Sequence, residues 1–102
     1  MSVYLIVNST VTDPELLASY LGDGAATLAG HVVNPLVVTT DATTIEGEPA
    51  GSRVVVMEFP DEPAFRAWYD SPAYQAILPR RLSSTEGFAV LVEGFDPSPP
   101  AT

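Results

Sequence analysis

Three short runs constrain this chain more than anything else in it. Val3-Tyr4-Leu5-Ile6-Val7, Val54-Val55-Val56-Met57 and Ala89-Val90-Leu91-Val92 are apolar at nearly every position and rich in β-branched residues, which marks them as strands. Successive side chains of a strand point to opposite faces of its sheet, so an antiparallel sheet with one wet face alternates apolar and polar residues. These runs do not alternate. Both faces of the sheet therefore need a cover, and helices supply only one. The simplest second cover is another copy of the chain, packed sheet to sheet about a two-fold axis, because a bare face would leave a larger apolar patch than monomers tolerate. A homodimer is the expectation.

The remaining elements fall around those strands. Strand one is expected over Val3 to Val7 and ends at Asn8-Ser9-Thr10. Thr12-Asp13-Pro14-Glu15 starts a helix, with Thr12 or Asp13 as cap, a proline in the first turn and a carboxylate at the positive end. Leu16, Leu17, Tyr20, Leu21, Ala25 and Leu28 recur at the spacing of one helical face. Gly22 and Gly24 weaken or bend the last turns. Strand two is expected over His31 to Thr40, at an edge or with a bulge, because Pro35 has no N–H to give a ladder. Asp41 to Gly51 connects it to strand three, Arg53 to Phe59. Asp61 caps a second helix carrying Phe65, Trp68 and Tyr69 on one face. Ser71-Pro72 breaks and restarts it as a shorter helix with an inner stripe of Tyr74, Ile77 and Leu78, closed by Pro79, Arg80 and Arg81. Strand four is expected over Glu86 to Phe95. The order β-α-β-β-α-β is that of an α+β, ferredoxin-like domain with a four-stranded antiparallel sheet, spanning residues 1–96 and followed by a proline-rich tail over 97–102.

Composition narrows the partners. A chain of 102 residues makes one domain, and its formal charge of −9 sets 13 carboxylates against four arginines. That balance repels nucleic acid phosphates and anionic membrane surfaces. With no cysteine there is no disulfide, thiolate metal site or cysteine nucleophile, and His31, as the single histidine, rules out a multi-histidine metal site within one chain. The start, Met1-Ser2-Val3-Tyr4, lacks the basic and long apolar segments of a signal peptide, and no apolar run reaches membrane-spanning length, so a cytoplasmic protein is expected. No cofactor is expected, since phosphate loops, nucleotide fingerprints and nucleophile elbows are all missing.

What remains is a set of single residues. Asn8 is a polar break at the end of an apolar run, either a strand terminator or a group aimed into the fold. Glu58, between Met57 and Phe59, is either a desolvated general base or a strand-end charge, the second being the plainer reading. His31 is the one side chain that ordinarily titrates near neutral pH. Trp68, Tyr69 and Tyr74 cluster across the helix break; aromatic residues at this spacing usually form core, but buried Tyr and Trp need polar partners, and a break opens a gap. Gaps of this kind, mostly apolar with a few polar groups, bind small molecules. Arg80 and Arg81 pair with internal carboxylates or hold a substrate carboxylate.

Several stretches resemble one family, the domain of unknown function 1330. They are Thr12-Asp13-Pro14-Glu15, Ile45-Glu46-Gly47, Arg53-Val54-Val55-Val56-Met57-Glu58-Phe59-Pro60, Trp68-Tyr69-Asp70-Ser71-Pro72-Ala73-Tyr74-Gln75 and Val92-Glu93-Gly94. The resemblance covers nearly the whole chain and is most specific in the Trp68 to Gln75 stretch. It implies a ferredoxin-like fold and a dimeric α/β barrel, and no agreed reaction. Members usually carry a Gly-Gly-basic segment before strand two, followed by an arginine; this chain has Ala29-Gly30-His31-Val32-Val33-Asn34-Pro35-Leu36 instead, which implies a more apolar ligand. In the wider superfamily, Asn8 and Trp68 match positions used by heme-degrading and cofactor-free oxygenases, while Ile77-Leu78-Pro79 stands where the heme enzymes need a histidine.

Three functions follow as expectations. The first is a cofactor-independent enzyme moving protons on a small, largely apolar organic substrate, by cyclisation, isomerisation or elimination. Tyr69, Tyr74, Glu58 and His31 are its candidate proton carriers; Phe65 and Trp68 shape the pocket, Ser71 sits at the break, and Asn8 or Arg80 orients the substrate. The second is a cofactor-free monooxygenase using Asn8 and Trp68. The third is a binding or accessory protein without chemistry.

Overall fold

The computed structural model describes residues 1–95, so the tail expected over 97–102 lies outside the described residues. The elements are β1 (Val3–Val11), α1 (Pro14–Thr27), β2 (Asn34–Thr39), β3 (Arg53–Phe59), α2 (Glu62–Tyr69), α3 (Pro72–Ser84) and β4 (Thr85–Glu93). The four strands form one antiparallel sheet in the order β2-β3-β1-β4, the ferredoxin-like topology expected from the element order. Pro35 sits on the edge strand, and the β2–β3 register shifts between Pro35 and Val37. The missing proline N–H is thus taken up at an irregular edge, where a ladder can spare it.

The expected caps are in place. Asp13 accepts from Leu16 N, Asp61 from Ala64 N and Ser71 Oγ from Tyr74 N, at 3.1, 2.9 and 3.2 Å. Each satisfies a donor that the first helical turn leaves open. Four elements differ in their bounds from the sequence expectation, β4 spanning Thr85–Glu93 and not Glu86 to Phe95. β1 continues to Val11, because Asn8 to Val11 pair with Phe88 to Thr85 of β4. β2 begins at Asn34, three residues after His31. α3 is the longer of the last two helices, running through Pro79 to Ser84. Pro79 removes the N–H that would reach the Gln75 carbonyl, but both residues are exposed, where water can serve that acceptor.

Burial along the central strands has a period of two. Val3, Leu5, Val7 and Ser9 of β1, and Arg53, Val55, Met57 and Phe59 of β3, are buried beneath the helices. They close on Leu17, Tyr20, Phe65, Trp68, Tyr74, Ile77 and Leu78 in a single core. The opposite face carries Ile6, Val54 and Val56, with Val37 of β2 and Phe88, Val90 and Val92 of β4 in register beside them. Among the described residues no helix lies over it, and Phe88, Val90 and Val92 are 51%, 43% and 41% exposed. The strands that lacked alternation are therefore apolar on two faces, one packed and one bare. Among the described residues no helix is long and apolar enough to cross a membrane.

Candidate functional site

The helix layer does not seal against the sheet everywhere. A cavity of about 180 Å³ opens between α1 and the β2–β3 side of the sheet. Its walls are Tyr20, Leu21, Gly24, Ala25 and Leu28 of α1, Pro35 and Val38 of β2, Arg53, Val55 and Met57 of β3, and Trp68 of α2. The C-terminal half of the α1 stripe thus faces a space and not solid core, which is why Leu21 remains 44% exposed. A smaller inner space of about 30 Å³ shares Tyr20, Arg53, Val55, Met57 and Trp68 and reaches Tyr69, Tyr74 and Arg81. Cavities on the order of 150 Å³ hold a molecule the size of benzene, so this one suits a small ring system.

The aromatic wall is built by the helix break. The Ser71 cap turns the chain so that Tyr74 faces back onto Trp68, with ring centroids 4.1 Å apart. Trp68 also stacks on Phe59 at 5.7 Å, and its Nε1 donates to Thr27 Oγ1 at 3.0 Å, tying α2 to the last turn of α1. Phe65 lies behind, edge-on to Phe59 and stacked on Tyr69. The polar groups of the wall are few. Tyr20 and Tyr74 share a hydrogen bond of 2.9 Å between their hydroxyls. Burial, with Tyr74 beside it, pushes the Tyr20 phenol well above its usual range. Tyr20 therefore stays protonated through neutral and mildly alkaline pH.

This has a measurable sign. Tyr20 in the unfolded chain ionises near pH ~10, and in the folded chain only at higher pH. Its contribution to stability is complete below the unfolded value and is lost as pH climbs toward the folded one. Urea midpoints of the wild type are expected to fall between about pH 9 and about pH 11, and Tyr20→Phe is expected to flatten that fall. Parallel profiles for the two proteins would contradict the assignment.

The residues singled out from sequence separate into two groups. Trp68, Tyr69 and Tyr74 line the joined cavities, Ser71 shapes them, and Phe65 backs the wall. Glu58, His31, Asn8 and Arg80 lie elsewhere. Glu58 is on the bare face, where Tyr4 Oη donates to it at 3.2 Å and Asn34 Nδ2 at 3.4 Å. Hydrogen bonds from Ser2 foremost, then Asn34 and Tyr4, hold its carboxyl below the usual range, against a smaller opposing effect of burial. Asn8 spends its amide on backbone: Nδ2 donates to the Gly51 and Arg53 carbonyls at 2.8 and 3.1 Å, and Oδ1 accepts from Ala50 N at 2.9 Å. Gly51 is required there, because a Cβ would run into the Ser9 backbone. His31 follows the end of α1, and Arg80 pairs with Asp23 at 2.6 Å on the outside. Among the described residues no group of three His, Asp or Glu side chains comes together as a metal site would need.

Tyr20 and Arg53 belong to the cavity walls and were not singled out from sequence, whereas Arg81, named there beside Arg80, lines the inner space. Their signals were present. Arg53 continues the alternation Phe59, Met57, Val55 toward the helices, and Arg81 continues the stripe Tyr74, Ile77, Leu78 once α3 is carried past Pro79.

A four-stranded antiparallel sheet under three helices, with a mostly apolar cavity between the layers, defines a ferredoxin-like α+β domain. The chain belongs to the domain of unknown function family DUF1330, whose model matches residues 2–95. Among solved structures it is similar to a protein of unknown function from Rhodopseudomonas palustris, with a TM-score of 0.78, 13% identity and coverage of 94% of this chain and 84% of that one. It is also similar to SnoaB, a cofactor-independent oxygenase from Streptomyces nogalater, with a TM-score of 0.61, 16% identity and coverage of 97% and 98%. A third likeness is to an uncharacterized NIPSNAP domain protein from Burkholderia xenovorans, with a TM-score of 0.59, 19% identity and coverage of 98% and 100%. At these identities the likeness is one of fold. No curated protein matches the chain in sequence.

Proposed function

We propose that this chain is a cofactor-independent enzyme that moves protons on a small, largely apolar ring compound held between the helices and the sheet. The observation that carries the reading is the Tyr20–Tyr74 hydroxyl pair in the wall of a mostly apolar cavity. The Tyr20 hydroxyl, kept protonated by burial and held by its hydrogen bond to Tyr74, donates to a substrate carbonyl oxygen and steadies the enolate that forms as water takes the proton of the neighbouring carbon. The proton returns from water to carbon or oxygen. Keto–enol isomerisation, cyclisation and elimination all pass through such a proton transfer. Tyr69 and Trp68 shape the space, and Glu58 lies on the opposite face of the sheet.

The test is exchange of the α-protons of 2-tetralone in D2O, followed by NMR. The protein is expected to accelerate it, and Tyr20→Phe or Tyr74→Phe to remove about 100-fold of that acceleration. Wild-type protein that leaves the exchange rate unchanged would sink the reading.

A second reading is a cofactor-free monooxygenase, favoured by the shared fold with SnoaB and by Trp68 in the wall. It predicts dioxygen consumption with an electron-rich phenol, which proton transfer alone does not. Binding of such ligands without turnover would point to the third function, a carrier.

We also propose that the bare sheet face is covered by a second copy of the chain. Ile6, Val37, Val54, Val56, Phe88, Val90 and Val92 form one apolar surface, with Tyr4, Asn34 and Glu58 as a hydrogen-bonded polar margin at one end. An apolar centre with a polar rim is the usual anatomy of a subunit interface.

A further inference from the structure

We propose that the ligand of the cavity is an anion, and that its carboxylate or ionised hydroxyl oxygen is held by Arg53. This rests on the cavity being the ligand site and adds the ligand's charge. The chain has 13 carboxylates and four arginines. Two of those arginines make surface ion pairs, Arg66 with Glu62 and Arg80 with Asp23. The other two, Arg53 and Arg81, are 4% and 9% exposed and have no carboxylate in range among the described residues. In so acidic a chain, two unpaired interior cations are conspicuous, because a buried charge is costly unless something neutralises it.

The polar atoms left open lie together. Arg53 Nη1 and Ser9 Oγ are both buried without a hydrogen-bond partner, and Ser9 and Arg53 are direct neighbours across the β1–β3 ladder. Both point to the helix side, at positions where β1 and β3 otherwise present Val, Leu, Met and Phe. Arg53 lines both parts of the cavity, and Arg81 the inner part. Burial foremost weakens the hold of Arg53 on its proton, with the nearby Arg81 adding to the effect and Tyr20 and Tyr74 opposing it. A bound oxyanion would supply the acceptor that Nη1 lacks and the negative charge that both guanidiniums lack.

The test compares naphthalene-2-carboxylate with its neutral amide, naphthalene-2-carboxamide, by calorimetry. The wild type is expected to bind the carboxylate about tenfold or more tightly than the amide. Arg53→Gln is expected to erase the difference. 2-Naphthol at neutral pH tells the two oxygen types apart: a bound naphtholate spectrum assigns an ionised hydroxyl, and carboxylate binding without it assigns a carboxylate. If amide and carboxylate bind the wild type alike, the anion seat is wrong while the cavity stands. If neither binds, both fall. A ligand-free measurement adds a further check. Arg53→Met removes an unpaired interior charge and is expected to melt at or above the wild-type temperature. A clear drop in melting temperature would make Arg53 a structural residue and overturn the proposal.

Discussion

Trp68→Ala is expected to cost about 3–5 kcal/mol of folding stability, out of the roughly 5–15 kcal/mol typical of a domain. Trp68 is 2% exposed and joins three elements at once. Its ring stacks on Phe59 of β3, packs on Tyr74 of α3 and bonds Thr27 at the end of α1. Alanine removes the shared wall between the two parts of the cavity and leaves one larger void, so transfer and cavity costs add. Trp68→Phe keeps the aromatic contacts and gives up the Thr27 bond, which is worth about 1 kcal/mol. Urea unfolding measures both. A loss below 1 kcal/mol for Trp68→Ala would mean that α2 is not held to the sheet through this residue.

Val56→Asp is expected to turn the proposed dimer into a folded monomer. Val56 is central on the bare face, with Ile6 on one side and Val37 on the other. It is only half-buried in the single chain, so the monomer tolerates a carboxylate there. In a sheet-to-sheet pair the two carboxylates would be buried near the two-fold axis without partners. A buried unpaired charge costs about 3–5 kcal/mol, which is about two to four orders of magnitude in dissociation constant. Sedimentation at micromolar concentration, with far-ultraviolet circular dichroism to confirm folding, decides the matter. A wild type that is already monomeric there would remove the proposal altogether.

The sheet was legible because both of its faces are apolar, and that pattern is written in consecutive residues. The helix starts were legible because Asp13, Asp61 and Ser71 cap through local hydrogen bonds that depend on nothing distant. The site was less so. Pro79 reads as a stop, since a proline inside a helix forfeits a bond, and the expected close at Pro79, Arg80 and Arg81 missed the last residues to Ser84. The helix can continue because Gln75 and Pro79 lie on its exposed side, where solvent can serve the freed carbonyl, a fact of tertiary placement. Asn8 and Glu58 looked like chemistry because they are polar within apolar strands. Which face each one takes depends on register, and register puts them on the side away from the cavity. Arg53 begins a strand, where a charged residue ordinarily faces solvent; only the closing of α1 and α3 over it makes it interior.

Pro35 bears on how the molecule avoids aggregation. A bare apolar sheet is a hazard when its edges are also open, because strands of neighbouring molecules can then add without limit. Here one outer strand is interrupted by a residue with no donor and by a shift in the ladder. The other, β4, carries exposed Glu86 and Glu93 near its two ends, so an incoming copy meets like charge. With both edges guarded, the broad face is what remains for self-association. In the proposed dimer, contact there about a two-fold axis would consume the sticky surface of both partners and leave nothing for a third, so an unclad sheet would not seed a fibre.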